Sequence, residues 1–136
     1  MNKKPILIVA GEPYSIFSEI FFKSYKKIIF KRPLVVIASK KIFLKQMKRL
    51  GYNYQFNLID KKLTRKIINK KKMINIIDVE FKFSKIFDKI TDKSNKYISE
   101  SFIIANNLLK NKKAYALING PISKKNFLKN KFLGIT

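Results

Sequence analysis

The chain has no cysteine, no histidine and no tryptophan among its 136 residues. Without cysteine there is no disulfide and no thiolate metal site. Without histidine the commonest general base and the commonest metal ligand are both missing. Ser/His/Asp and Cys/His nucleophilic sets are therefore excluded. Glycine is scarce as well. Gly11, Gly51, Gly120 and Gly134 lie too far apart to form a Gly-rich dinucleotide loop or a P-loop. Of the eight acidic residues, Asp60, Asp78, Asp88, Asp92 and Glu100 show no metal-ligand spacing and are expected at element ends. No apolar run reaches the roughly 18 residues of a membrane span. Met1-Asn2-Lys3-Lys4 is followed by only six apolar or small residues before Gly11-Glu12-Pro13 breaks the run, which is too short for a signal peptide. A cytoplasmic protein is the expectation.

Lysine, isoleucine, asparagine and phenylalanine are abundant instead. Hydrophobic residues make up 46% of the chain, and twelve Phe with six Tyr supply the bulk for one core. The formal charge is +23. A basic surface attracts nucleic acid or anionic membrane. The excess is almost wholly lysine, however, with only Arg32, Arg49 and Arg65 offering guanidinium groups. Nucleic-acid readers favour arginine for bidentate contacts and stacking. The lysines are also spread along the whole chain, among residues of A/T-rich codons. Codon bias accounts for the charge better than a small basic nucleic-acid-binding protein, which stays as the reading from a different class.

Apolar runs alternate with helical patterns along the chain. Pro5 to Ala10 predicts a buried strand. Ser15 then caps a helix with Ile16, Phe17, Ile20, Phe21 and Ile28 at helical spacing. Leu34 to Ala38 is a second buried strand. Ser39 to Leu50 is a helix with Ile42, Phe43, Met47 and Leu50 on one side and Gly51 as its stop. Tyr54 to Ile59 is a third strand, with Tyr54, Phe56 and Leu58 alternating. For the basic stretch Lys61 to Lys72, a short helix and a solvated loop both fit. Met73 to Val79 is another strand. Asp92 or Ser94 opens a long helix to about Lys110, with Ile98, Phe102, Ala105 and Leu109 on its apolar face and Tyr97, Ile104 and Leu108 beside them. Ala114 to Ile118 is a further strand, and Ser123 to Asn130 begins a final helix. This alternation predicts an α/β fold, a mostly parallel sheet with helices on both faces.

Two strand-to-turn junctions carry what chemistry the chain offers: Val9-Ala10-Gly11-Glu12-Pro13 and Leu117-Ile118-Asn119-Gly120-Pro121. Ligands of parallel sheets bind outside the carboxyl ends of the strands. Helix N-termini there present free N–H groups to phosphate or carboxylate, and Gly allows close approach. Lys124 adds a point charge for an anion. The plainer reading is that Gly and Pro only make tight turns. For Glu12, holding a backbone N–H or pairing with a lysine outweighs catalysis.

These junctions also carry a resemblance. Ile6 to Pro13, continuing through Ile16 and Glu19, resembles the opening of the 4-hydroxythreonine-4-phosphate dehydrogenase family, a strand followed by G-[DE]-P-x-G-I-G-P-E. Gly11, Glu12, Pro13, Ile16 and Glu19 match, while Ser15, Phe17 and Ser18 stand for Gly, Gly and Pro. Ala116 to Lys124 resembles the family's A-L-[IV]-T-G-P-[IV]-x-K, and the spacing of the two blocks agrees. Phe132-Leu133-Gly134-Ile135-Thr136 falls where the family has G-H-T-E. Thr136 matches the substrate-contacting Thr, Ile135 replaces the His, and Ser123 replaces a common His in the second block.

The resemblance implies a two-domain fold like that of isocitrate and isopropylmalate dehydrogenases, here incomplete. It implies oxidation of 4-(phosphooxy)-L-threonine with NAD or NADP, followed by decarboxylation, on the route to pyridoxal phosphate. It also implies a homodimer and a divalent metal (zinc, magnesium or cobalt) whose histidine ligands, like the cofactor segment, are expected beyond residue 136. Residues 1–136 are thus expected to be the N-terminal part of such an enzyme and inactive alone. Thr136 is the expected substrate contact; Gly11, Glu12, Pro13, Gly120, Pro121 and Lys124 are candidate turn and anion residues. Ile135 motivates a second reading, a dehydrogenase of another phosphorylated four-carbon acid.

Overall fold

Residues of the central strands are buried almost without a break, and successive ones join opposite cores, as a strand covered on both faces requires. Leu7 and Val9 join one core with Val35, Ile37 and Ile77, while Ile8 and Ala10 join another with Val36, Ala38, Ile74 and Ile76. In the computed structural model, which describes residues 3–25, 27, 31–70 and 72–123, these strands form one five-stranded sheet. The elements run β1 (Ile6–Val9), α1 (Phe17–Tyr25), β2 (Leu34–Ala38), α2 (Lys40–Arg49), β3 (Gln55–Ile59), β4 (Met73–Asp78), α3 (Asn95–Lys110) and β5 (Ala116–Asn119). A 3-10 turn, Asp92–Ser94, leads into α3.

The spatial order is β3-β4-β2-β1-β5, and every neighbouring pair is parallel. Helices α1 and α2 cover one face through Phe21, Phe22, Tyr25, Phe43 and Met47. Helix α3 covers the other through Tyr97, Ile98, Ala105 and Leu108. The expected α/β sheet with helices on both faces is therefore present. Much of the aromatic content lies on the α1/α2 side, where the Phe22 and Phe43 rings sit 4.6 Å apart and the Phe21 and Tyr25 rings 5.3 Å apart.

Three sequence expectations shift. Ile16 and Ile20, expected on the apolar face of α1, are 60% and 51% exposed; Ser18, Phe21, Phe22 and Tyr25 form the buried stripe instead. The larger rings at i, i+3, i+4 and i+7 win the core-facing side. In β3 the buried residue is Ile59, while Leu58 is exposed, because an edge strand is covered unevenly. In α3 the stripe runs through Tyr97, Ile98, Ser101, Ala105 and Leu108, leaving Phe102 and Leu109 half-buried. Residues 61–70 form neither helix nor strand. Gly51 ends α2 with φ +88°: its N–H reaches Lys48 O, and the Tyr52 N–H reaches Met47 O, the paired bonds of a Schellman cap. Ile28 and most of the expected last helix, from Lys124 to Asn130, lie outside the described residues.

Candidate functional site at the carboxyl ends of β1 and β5

The chain leaves β1 through α1 on one face to reach β2, and reaches β5 through α3 from the other face. Strand β1 thus has neighbours approached from opposite sides, which makes the β1/β5 carboxyl ends the topological switch point of the sheet. Both sequence-singled turns are there, and they hold each other. The Gly120 N–H donates to Val9 O at 2.6 Å, and the Glu12 N–H donates to Pro121 O at 2.9 Å.

The two glycines are what permits this approach. A Cβ on Gly11 would stand 2.5 Å from Pro121 O, and Gly11 has φ +78°. A Cβ on Gly120 would stand 2.2 Å from Ala10 O. Backbone meets backbone here with no room for a side chain. The N–H groups of Glu12 and Gly120 are therefore engaged by the neighbouring turn and are not available to an anion.

Glu12 is buried, at 2% exposure. Its carboxylate accepts from the Tyr14 N–H at 3.3 Å and from the Ser94 hydroxyl. Burial pushes its pKa up from the ordinary 4.5, against the two hydrogen bonds, which favour the charged form. Among the described residues Glu12 pairs with no lysine; it holds the backbone N–H of Tyr14, joined by a serine from the 3-10 turn before α3.

The neighbouring helix starts are closed in the same way. Ser15 Oγ accepts from the Phe17 N–H at 3.1 Å, so the expected cap of α1 forms. At α2, the Ser39 N–H donates to the Tyr97 hydroxyl at 2.9 Å and the Lys40 N–H to Asp78 Oδ1 at 2.8 Å. Gln46 Nε2, on the buried side of α2, donates to Pro13 O at 2.8 Å and to Ile86 O at 2.9 Å. The space beneath the turns, between Glu12, Ser18, Ser39, Gln46 and Tyr97, measures about 10 Å³. That is the size of a single water, so this polar cluster braces the turns and does not receive a substrate.

Ser94, Tyr97, Gln46 and Asp78 were not singled out as site residues from sequence. One signal was available: Gln46 falls three and four residues after Phe43 and Ile42, inside the apolar stripe, where a polar side chain must find partners. Lys124 and Thr136 lie outside the described residues.

A parallel α/β sheet with helices on both faces, its switch point closed by two interlocked turns, defines a doubly wound protein. The family model described as "Pyridoxal phosphate biosynthetic protein PdxA" matches residues 30–136, and the chain belongs to that family. The match begins after Gly11-Glu12-Pro13, so the second turn falls within it and the first does not. Solved structures are similar over nearly the whole chain. A 4-hydroxythreonine-4-phosphate dehydrogenase from Burkholderia phymatum is similar with a TM-score of 0.80 at 17% identity, over 96% of this chain and 40% of that one. The 4-hydroxythreonine-4-phosphate dehydrogenase of Klebsiella pneumoniae gives 0.79 at 18% identity, over 98% of this chain and 42% of that one. The chain therefore spans about two-fifths of the length of these proteins, and at this identity the likeness speaks to the fold. No curated protein sequence matches the chain.

Proposed function

We infer that this chain supplies the N-terminal scaffold of a two-domain dehydrogenase that oxidises and decarboxylates 4-(phosphooxy)-L-threonine to 3-amino-2-oxopropyl phosphate, on the route to pyridoxal phosphate. The family match over residues 30–136 carries this reading. The likeness to the 4-hydroxythreonine-4-phosphate dehydrogenases of Burkholderia phymatum and Klebsiella pneumoniae supports it.

The residues of this chain do not themselves fit a metal centre. Among the described residues no three His, Cys, Asp or Glu come together to hold an ion, and the sequence has no His and no Cys. A divalent zinc, magnesium or cobalt ion in the working enzyme would take its ligands from other residues. The same holds for NAD or NADP, for which the four separated glycines form no phosphate loop. What this chain contributes is position. The interlocked turns fix the end of β5, from which Lys124 offers an ammonium to the substrate's phosphate. Thr136 offers a hydroxyl to the substrate in the same reading, and the working enzyme is a homodimer.

Ile135, at the place of the family's His, favours a second reading in which the substrate is another phosphorylated four-carbon acid. Reading the gene beyond codon 136 and assaying the product of the whole open frame separates the two. NADH or NADPH formation with the threonine phosphate is the expected result. Turnover only with another such acid selects the second reading, and none with any of them removes both. The 136-residue chain alone is expected to give no turnover; measurable activity would show that its own residues suffice.

A further inference from the structure

A cavity lies at the opposite end of the sheet from the two turns. It opens beside the amino ends of β1 and β2 and measures about 610 Å³, within the range of small-molecule sites. Lys3, Lys31, Arg65 and Lys66 line it, with Leu63 and Ile67 as an apolar wall; none of the described lining residues is acidic. The lysine excess of the whole chain does not by itself make a concave site. The loop that carries Arg65 and Lys66 does.

That loop lacks helix and strand yet is anchored throughout. Asp60 accepts from the Thr64 N–H at 2.9 Å, the Thr64 hydroxyl at 2.7 Å and the Arg65 N–H at 2.8 Å. These bonds hold the Asp60 carboxyl well below the usual range, so it stays charged, and they turn both its oxygens to the loop's own donors. Asn57 donates to Lys66 O at 3.1 Å. Asn75, 3% exposed, accepts from the Ile68 N–H at 2.9 Å and donates to Ile68 O at 2.7 Å. Leu63 is held at φ +56°, a strained value for a branched side chain. Long loops without secondary structure that are nonetheless fixed tend to be functional.

We propose that this groove is a binding site for a small polyphosphate anion, read by Arg65, Lys66, Lys3 and Lys31, and separate from the dehydrogenase reading. Arg65 supplies the planar fork that suits phosphate oxygens, and the lysines supply point charges. No aromatic ring lines the groove among the described residues, so nothing there stacks a base. That favours phosphate groups over a nucleic-acid strand.

The test is calorimetric titration of inorganic triphosphate into the full chain at ~0.15 M salt. Saturable binding at one site is expected. Arg65→Glu with Lys66→Glu should weaken it at least about tenfold, as loss of charge-assisted hydrogen bonds predicts. Lys41→Glu with Lys48→Glu, an equal charge change on the exposed side of α2, should leave it within about twofold, because exposed charges at a distance are screened at this salt. Should the glutamate pair fail to fold by circular dichroism, Arg65→Gln with Lys66→Gln gives the same comparison. ATP should bind no more tightly than triphosphate. No saturable binding, equal weakening by the two charge-matched pairs, or preferential binding of duplex DNA would each overturn the proposal.

Discussion

The Ser94 hydroxyl donates to the Glu12 carboxylate across 82 residues of chain, joining the turn after β1 to the 3-10 turn before α3. The carboxylate is buried, and its raised pKa means that folding favours its protonated form. The stability this contributes is present below the ordinary 4.5 and is lost as pH rises through the folded pKa. Glu12→Gln keeps a carbonyl acceptor for the Tyr14 N–H and an amide that can donate to the Ser94 hydroxyl, but removes the titration. Urea midpoints of the two proteins compared from about pH 4 to pH 8 should show the wild type losing ground to the variant as pH rises. A pH-independent difference would rule this out. Glu12→Ala leaves the Tyr14 N–H unpaired and Ser94 with only its 3.3 Å bond to Thr91 O, and should cost about 1–3 kcal/mol.

Gly11 and Gly120 should tolerate no side chain. Alanine at either places a Cβ within 2.5 Å of a carbonyl oxygen, and at Gly11 it adds a positive-φ penalty. Each substitution should cost about 2–4 kcal/mol, since the atoms that must move are backbone in both turns. Gly51→Ala is the control. It has φ +88° but nothing within 4 Å, so only the conformational term applies, about 1 kcal/mol. Equal thermal destabilisation of all three would show that the interlock of the turns is not what requires glycine.

Asn75 binds the loop after β3 to the middle of the sheet. It bonds Ile68 twice, accepts from Asn57 at 2.9 Å and donates to Leu34 O at 3.3 Å. Asn75→Leu should cost about 2–4 kcal/mol by stranding several partners at once. Amide hydrogen exchange should accelerate from Leu63 to Ile68 and stay slow in β2. Uniform acceleration would mean that the loop is not separately anchored.

Tyr97 presents its hydroxyl to the buried Ser39 N–H, and burial pushes its pKa far above the ordinary tyrosine value. It is therefore a neutral acceptor throughout the usable pH range. Tyr97→Phe keeps the ring packing and leaves one N–H unmet, so a loss of about 1–3 kcal/mol is expected, measured by chemical denaturation. A neutral substitution would mean that Ser39 finds another acceptor.

The strands and helices were legible because two periodicities dominate the chain. Short apolar runs mark β1, β2, β4 and β5, with Pro or Gly beside all but β4. Gly51 marked the end of α2 through its need for positive φ. The strand order was less accessible, because β4 returns beside β2 and inside β3 without an intervening helix. Nothing in residues 61–70 announces that return; Asp60 and Asn75 build it through bonds specific to this packing. At the site, the two glycine turns were visible as motifs, but their mutual contact was not, since it depends on β1 and β5 being neighbours. Ser94 was read as a helix opener, and only the fold brings it to Glu12.

Strand β5 has a hydrogen-bonded neighbour on one side only among the described residues, and Tyr115 and Ile118 are 60% and 55% exposed. A free parallel edge with apolar side chains is a template for other copies. Net charge of +23 opposes such encounters, but only over a distance that salt shortens. An edge left open in this way would set a sticky border against long-range repulsion. Low ionic strength would then keep copies apart, and added salt would favour contact through the edge of the sheet.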